Sequence, residues 1–282
     1  MTTNLILQGL TTQRSDIDRI AALAGGRRIV ALADQAYRVE DVQFSEAIKA
    51  SIDQECFGAK LDYAFTPAAR RLADFGLVAM DMDSTLITIE CIDEIADMQG
   101  LKPQVAEITE AAMRGEIEFR ESLTRRVALL KGLEASALQR VYDERLKLSP
   151  GAERMLEAVQ AAGLKTLLVS GGFTFFTDRM KTRLGLDYTH SNVLEVADGK
   201  LTGRVVGGIV DADEKMHTVE RVCAELGIST RKAIVMGDGA NDLKMMGISG
   251  MSVAFRAKPV VRAQADVALN FVGLDGILSL FE

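Results

Sequence analysis

Short apolar runs that stop at polar or glycine-rich residues recur along this chain, and three of them share one form. Phe75-Gly76-Leu77-Val78-Ala79-Met80 runs into Asp81-Met82-Asp83-Ser84-Thr85. Leu164 to Val169, with one lysine inside, runs into Ser170-Gly171-Gly172-Phe173, and Ala233 to Met236 runs into Gly237-Asp238-Gly239-Ala240-Asn241-Asp242. Apolar runs of this length without polar alternation predict strands of a parallel sheet, buried on both faces. Between the first two, from about Thr88 to Leu146, the period changes. Ile92, Ile95 and Ala96, then Val105, Ile108 and Ala112, then Leu123, Val127 and Leu130 fall at helical spacing. That pattern predicts a bundle of three or four helices lying as a lid over the strand ends. Beyond Asp242, Leu243, Met245 and Met246 predict a helix, and Ser252 to Phe255 and Val267 to Leu269 predict two closing strands.

The first part of the chain has a different rhythm. It predicts a strand (Leu5 to Leu7), a helix (Ser15 to Leu23), two strands (Arg28 to Ala33 and Ala36 to Val39), a helix (Ser45 to Glu55) and a strand (Ala59 to Ala64). Asp16 and Ser45 stand where helices are expected to start, and Gly25-Gly26 closes the first helix. This βαββαβ order fits a ferredoxin-like α+β sandwich. The reading therefore divides the chain into residues 1–72 and 73–282, joined near Pro67 to Asp74. All the chemistry-bearing motifs lie beyond Leu77, so a fragment starting near Ala73 is expected to keep the activity.

Composition narrows the classes. A chain of 282 residues suits two cores, and the hydrophobic 48% contains no run long enough to span a membrane. Met1 to Leu10 lacks a basic start and a continuous apolar stretch, which makes export unexpected and a cytoplasmic location the expectation. Cys56, Cys91 and Cys223 lack metal-ligand spacing and read as buried thiols, with Cys91 singled out for reactivity because Glu90 precedes it. His190 and His217 have no triad partners and read as surface residues. The net charge of −7 disfavours nucleic acid as a partner. A site for an anion must then build its own local positive potential.

Such a site is what the three strand ends offer. Ligands bind outside the carboxyl ends of parallel strands, where glycines let backbone N–H groups close on an anion. Ser170 can donate to a phosphate oxygen, and Asp81, Asp83, Asp238 and Asp242 supply hard oxygen suited to Mg²⁺. Two carboxylates two residues apart at a buried strand end need a cation, although an acidic turn would read the same locally. Lys215, in Asp211-Ala212-Asp213-Glu214-Lys215 ahead of Val219, Val222 and Leu226, heads a helix. By pattern alone it is a solvated lysine.

Taken in order, Asp81-Met82-Asp83-Ser84-Thr85, Ser170-Gly171-Gly172, Lys215 and Gly237-Asp238-Gly239-Ala240-Asn241-Asp242 resemble the four motifs of the haloacid-dehalogenase superfamily. Glu90 with Asp93-Glu94, and Arg125-Arg126-Val127, resemble its phosphoserine phosphatase subfamily. The likeness covers about Leu77 to the C-terminus and implies an α/β, Rossmann-like parallel sheet core with an inserted helical cap at about 88–146. It also implies roles. Asp81 is the expected nucleophile and Asp83 the proton donor and acceptor. Mg²⁺ is expected on Asp81, the Asp83 backbone carbonyl and Asp238, with Asp242 behind them. Ser170, the Gly171 N–H, Lys215 and Asn241 would hold the phosphoryl oxygens. Glu90 would take the substrate ammonium and Arg126 its carboxylate, the latter by the two-pronged geometry that arginine provides. Met113 and Phe119 resemble residues that shut out water, although their spacing alone makes them core. Residues 1–72 resemble ACT-like regulatory domains in pattern and position. The implied reaction is hydrolysis of O-phosphoserine to serine and phosphate, the last step of serine synthesis. A phosphatase of relaxed specificity, a phosphoryl transferase and a non-catalytic regulator stand as alternatives. The reading admits a homodimer and an amino-acid effector at the N-terminal unit as further partners, and no membrane.

Overall fold

In the computed structural model, which describes residues 3–33, 35–114 and 116–282, the N-terminal pattern takes the expected order. It comprises β1 (Thr3–Gly9), α1 (Arg14–Leu23), β2 (Arg28–Ala33), β3 (Ala36–Glu40), α2 (Glu46–Ala59) and β4 (Leu61–Pro67). Side chains alternate along β1 with the two-residue period of a strand. Leu5 and Leu7 pack with Ile17, Ile20, Ile52 and Cys56 under the two helices, while Ile6 turns to the other face and joins the main core. The strands order as β2-β3-β1-β4, an antiparallel ferredoxin-like arrangement. Ser45 caps α2 by accepting from Ile48 N at 3.2 Å. α1 is preceded by Gln13, so Asp16 sits within the first turn rather than at the start. There its charge still faces the free N–H groups of the helix.

The remaining elements are β5 (Leu77–Met80), α3 (Cys91–Asp97), α4 (Lys102–Met113), α5 (Phe119–Leu129), α6 (Ser136–Glu144) and α7 (Ala152–Ala161). They continue with β6 (Lys165–Phe173), α8 (Thr174–Leu184), β7 (Tyr188–Ala197), β8 (Lys200–Val206), α9 (Ala212–Glu225) and β9 (Ala233–Gly237). Then come α10 (Leu243–Ile248), β10 (Met251–Phe255), α11 (Pro259–Arg262) and β11 (Val267–Leu269), and a 3-10 helix at Leu274–Leu280 follows them. β5 has parallel partners on both sides, β9 and β6. None of its four residues has exposed surface. Val78 and Met80 enter one core while Leu77 and Ala79 enter another across the sheet. An unbroken apolar run is thus what a doubly covered strand requires.

The sheet continues past the N-terminal unit. β4 pairs antiparallel with β11, Tyr63 opposite Ala268, giving one 11-stranded sheet ordered β2-β3-β1-β4-β11-β10-β9-β5-β6-β7-β8. Asp62 locks this junction. Its buried carboxylate accepts from Asn270 N at 2.8 Å and from Phe271 N and Val272 N at 2.9 Å each.

Four helices, α3 to α6, fill the span between β5 and α7. The pattern reading did not anticipate the β7–β8 hairpin, which turns through Asp198 (φ 50°) and Gly199 (φ 76°). An Asp-Gly pair supplies the two positive φ angles that a two-residue hairpin needs. The hairpin braces the cap, since Leu201 exchanges backbone hydrogen bonds with Gly132 and Leu133 at 2.8 Å and Ala135 N reaches Gly199 O at 2.8 Å. No helix among the described residues is long and apolar enough to cross a membrane.

Candidate active site

At the end of β5 the chain leaves the sheet in a wide turn. Asp81 N still pairs with Met236 O at 3.0 Å, then Leu86 N reaches back to Asp81 O (3.3 Å) and Ile87 N to Met82 O (3.0 Å). Ser84 takes the left-handed conformation at φ 56°, a small local strain for a residue with a Cβ. The strained serine holds something: its Oγ donates to Glu90 Oε1 at 2.6 Å. The turn puts both Asp81 and Asp83 at the strand end. Asp81 Oδ1 accepts from Met82 N at 2.7 Å, and Asp83 Oδ2 accepts from Cys91 N at 3.4 Å. Asp83 Oδ1 is buried without a partner among the described residues.

Lys215 is not solvated. It has 0% exposed surface, and its Nζ lies 2.9 Å from Asp81 Oδ1 and 2.8 Å from Asp242 Oδ1. Asp211 positions it by capping α9, accepting from Glu214 N at 3.0 Å. Burial works against the ammonium, but Asp242 and Asp81 outweigh it and hold the Lys215 pKa above its ordinary value. One ammonium cannot neutralise both partners. Burial, opposed by Lys215 and reinforced by Asp242 and Asp238, holds the Asp81 carboxyl well above the usual range. Asp83 is pushed up to about 8 by burial and the Glu90 charge, and Asp238 up to about 7 by burial and the charges of Asp242 and Glu90.

Carboxylate oxygens of Asp81, Asp238 and Asp242 lie within 4.8 Å of one another. Asp242 is committed to Lys215 and to Gly239 N (3.0 Å), and Asp238 Oδ1 accepts from Thr85 Oγ1 at 3.1 Å. One oxygen each of Asp81 and Asp238 is left without a protein donor among the described residues. Hard oxygens in a site with excess negative charge fit a small divalent cation such as Mg²⁺.

On the neighbouring strand β6, Ser170 is fully buried and its Oγ accepts from Gly172 N at 2.9 Å, leaving the hydroxyl proton free for a ligand. Phe119 of the cap lies against Gly171, where a Cβ would stand 3.1 Å from the ring tip. The neighbouring Arg120 donates to Asp211 at 2.6 Å, so the cap lands on the core at two adjacent points. Asn241 sits in the turn after β9 with its side chain against Gly239. It makes no side-chain hydrogen bond to Ser170 or Lys215 among the described residues. The side chain of Met113 lies outside the described residues.

Glu90 precedes α3 as an exposed residue, its carboxylate held against Ser84. Burial raises its carboxyl pKa, partly offset by the Ser84 hydrogen bond. Arg126 is half-buried, not a free surface residue, and its Nε donates to Ser122 O at 3.4 Å. Burial lowers its pKa against the opposing charges of Asp93, Glu90 and Asp83. Glu90 and Arg126 form no ion pair with each other: Glu90 accepts from Ser84 Oγ, and Arg126 donates to Ser122 O. Asp93, one turn beyond Glu90, is the charge that acts most strongly on Arg126. The motif reading quoted it without a role.

One expectation needs correction. Cys91 is fully buried, and burial followed by the Asp83 charge holds its thiol well above its ordinary value, so it is no reactive nucleophile. His190 is part-exposed and belongs to no triad among the described residues, although its Nε2 lies 3.0 Å from Glu214 Oε1. The sequence reading quoted Thr85 without its role, which is to donate to Asp238, and it missed Asn192, treated below. Their roles have no local signal, because each acts on a segment remote in sequence.

The chain matches the haloacid dehalogenase-like hydrolase family over residues 78–247. It belongs to that family. The hydrolase is 61% identical over 215 residues to a phosphoserine phosphatase of Polaromonas sp., covering 74% of this chain and 91% of the relative. It matches the crystal structure of a HAD family hydrolase from Salmonella enterica subsp. enterica serovar Typhi with TM-score 0.89 and 34% identity, over 100% of this chain and 99% of that one. A phosphoserine phosphatase solved as a phospho-aspartyl intermediate analogue matches with TM-score 0.69 and 37% identity, over 74% of the hydrolase and 99% of that chain. Residues 5–50 match a domain family of unknown function, DUF4072.

Proposed function

We propose that this hydrolase cleaves O-phosphoserine to serine and phosphate through a phosphoaspartyl intermediate, with Mg²⁺, as the final step of serine synthesis. The observation that carries the reading is the buried Lys215 held between Asp81 and Asp242 at the end of β5, beside the Ser170-Gly171 end of β6. The naming of its relatives supports the substrate. Asp81 attacks phosphorus, and the bond to the serine oxygen breaks as Asp83 delivers a proton to it. Asp83 then takes a proton from the water that attacks the phosphoaspartate, and phosphate leaves as the bond to Asp81 breaks. The unpartnered Asp83 oxygen suits this exchange. Ser170, Lys215, the Gly171 N–H and Asn241 hold phosphoryl oxygens. Glu90 receives the ammonium and Arg126 the carboxylate. Asp81, the Asp83 carbonyl and Asp238 would hold Mg²⁺, with Asp242 behind them, and the ion would neutralise charge on the phosphoryl group.

The test is phosphate release from phosphoserine and from a panel of other phosphomonoesters, with Mg²⁺ and after its chelation. Phosphoserine should be the preferred substrate, and chelation should abolish turnover reversibly. Asp81→Asn should abolish turnover with the fold intact, because an amide can neither attack phosphorus nor bind Mg²⁺ as an anion. Turnover near the parent rate in that variant would sink the covalent route.

A further inference from the structure

β6 does not keep step with β7. Val169 pairs with His190 and Phe173 with Asn192, so four residues of β6 advance against two of β7, and Ser170, Gly171 and Gly172 swing out of the ladder. A bulge of this kind re-aims backbone and side chains at a strand end. It also deprives buried carbonyls of ladder partners, and a buried carbonyl without a donor is costly. For Gly171 the missing donor comes from a side chain: Asn192 Nδ2 donates to Gly171 O at 2.7 Å.

The other end of the same amide faces a second phosphoryl-holding element. Asn192 Oδ1 accepts from Val210 N at 2.8 Å, and Val210 immediately precedes Asp211, the cap of α9. Lys215 N bonds Asp211 O at 2.9 Å in the first turn of that helix. One buried side chain, 1% exposed, therefore ties the strand end that offers Ser170 and Gly171 to the helix start that offers Lys215. Arg120 of the cap lands on this tied unit through Asp211, beside the contact of Phe119 with Gly171.

We propose that Asn192 is a positioning residue for phosphoryl transfer, setting the spacing between the Ser170-Gly171 strand end and the Lys215 helix. It touches neither substrate nor reacting atoms and acts through Gly171 and Lys215. The inference rests on the reading of Ser170, Gly171 and Lys215 as the phosphoryl-holding set. The side chain must donate to a carbonyl and accept from an N–H at the same time, which an amide does through two separate atoms. Aspartate offers only acceptors when ionised, and leucine offers neither.

The experiment compares Asn192→Leu and Asn192→Asp with the parent chain, measuring kcat and KM for phosphoserine and for para-nitrophenyl phosphate. It also measures the Kd for orthovanadate, an anion that probes the phosphoryl site, and corrects each value for the folded fraction. Both variants should lose kcat/KM on the two substrates by the same factor, roughly ten- to a hundredfold, with orthovanadate affinity falling about tenfold. Should the leucine variant not fold, the near-isosteric aspartate variant carries the test. A folded variant with parental kcat/KM and parental orthovanadate affinity overturns the proposal, since Asn192 would then serve stability alone. A loss confined to phosphoserine overturns it too. If the parent chain neither hydrolyses para-nitrophenyl phosphate nor binds orthovanadate, the phosphoryl-site reading itself fails, a result distinct from either.

Discussion

Lys215 shows how far a single residue's surroundings can depart from its pattern. A lysine in the first turn of a polar-faced helix ordinarily points into water, yet this one is enclosed between two carboxylates. Arg126 is similar: half-buried, facing Asp93 and Glu90, and joined to its own helix by one long hydrogen bond to Ser122 O. A guanidinium with that freedom can receive a carboxylate through two parallel bonds. Arg126→Ala should therefore lower kcat/KM on phosphoserine by roughly ten- to a hundredfold, and lower it much less on an aryl phosphate that lacks a carboxylate. Arg126→Lys should recover only part of the loss, because an ammonium cannot form the paired bonds. Steady-state kinetics on both substrates decide the matter, and equal losses would reassign Arg126 to the fold or the phosphoryl group. Asn192 and Arg126 are thus expected to leave opposite signatures, one common to all monoesters and one specific to phosphoserine.

Among the elements, the β7–β8 hairpin carries more than its own strands. By pairing Leu201 with the α5–α6 connection it fixes one end of the cap, so Phe119 and Arg120 at the start of α5 meet the core from a braced helix. The hairpin depends on Gly199 at φ 76°, where an L side chain costs roughly 1–2 kcal/mol. Gly199→Val should lower Tm by a few degrees and speed proteolysis in the cap segment around residues 114–135. Thermal unfolding and limited proteolysis check this, and an unchanged cleavage rate would argue that the cap holds without the hairpin. The Asp-Gly pair was a legible turn signal. The strands flanking it were not, because Tyr188 to Ala197 mixes charged, polar and apolar residues without a clean alternation on a strand near the sheet edge.

For the whole molecule, the 11-stranded sheet makes the two ends of the chain interdependent. Asp62 is the polar centre of that junction, accepting from the backbone of residues 270–272, while Ile6 and Ala64 contribute to the main core beside it. Asp62→Asn would turn an amide donor toward N–H donors, and a buried donor left unpaired costs about 1–3 kcal/mol. Its Tm should fall while kcat stays near the parent value, as scanning calorimetry and kinetics would show. A fragment starting near Ala73 keeps every motif residue but exposes the β11 edge and apolar surface that β1 and β4 cover. It should hydrolyse phosphoserine when folded and aggregate at lower temperature than the full chain. A folded, monomeric, metal-replete fragment without activity would mean that the N-terminal unit completes the site.

The sequence by itself determined what is local. Buried parallel strands, their glycine- and aspartate-rich ends, the helical cap and the βαββαβ start all follow from apolar period and turn chemistry, which depend on residues a few positions apart. Asp81, Ser170 and Asp238 were legible because each stands within two residues of the end of an apolar run that reads as a covered strand, with its polar terminus at the ligand edge. Other features depended on tertiary structure. Lys215 finds Asp242 27 residues away, Asn192 reaches Gly171 across 21, and Asp62 meets Asn270 across 208. No periodicity reports such pairs, because they arise only when burial leaves a charge or a carbonyl without water and a distant segment must supply the partner. The same requirement closed Cys91 and half-buried Arg126 among the charges of Asp93 and Glu90. In each case the environment supplied by other elements, and not the residue's neighbours in sequence, set its chemistry.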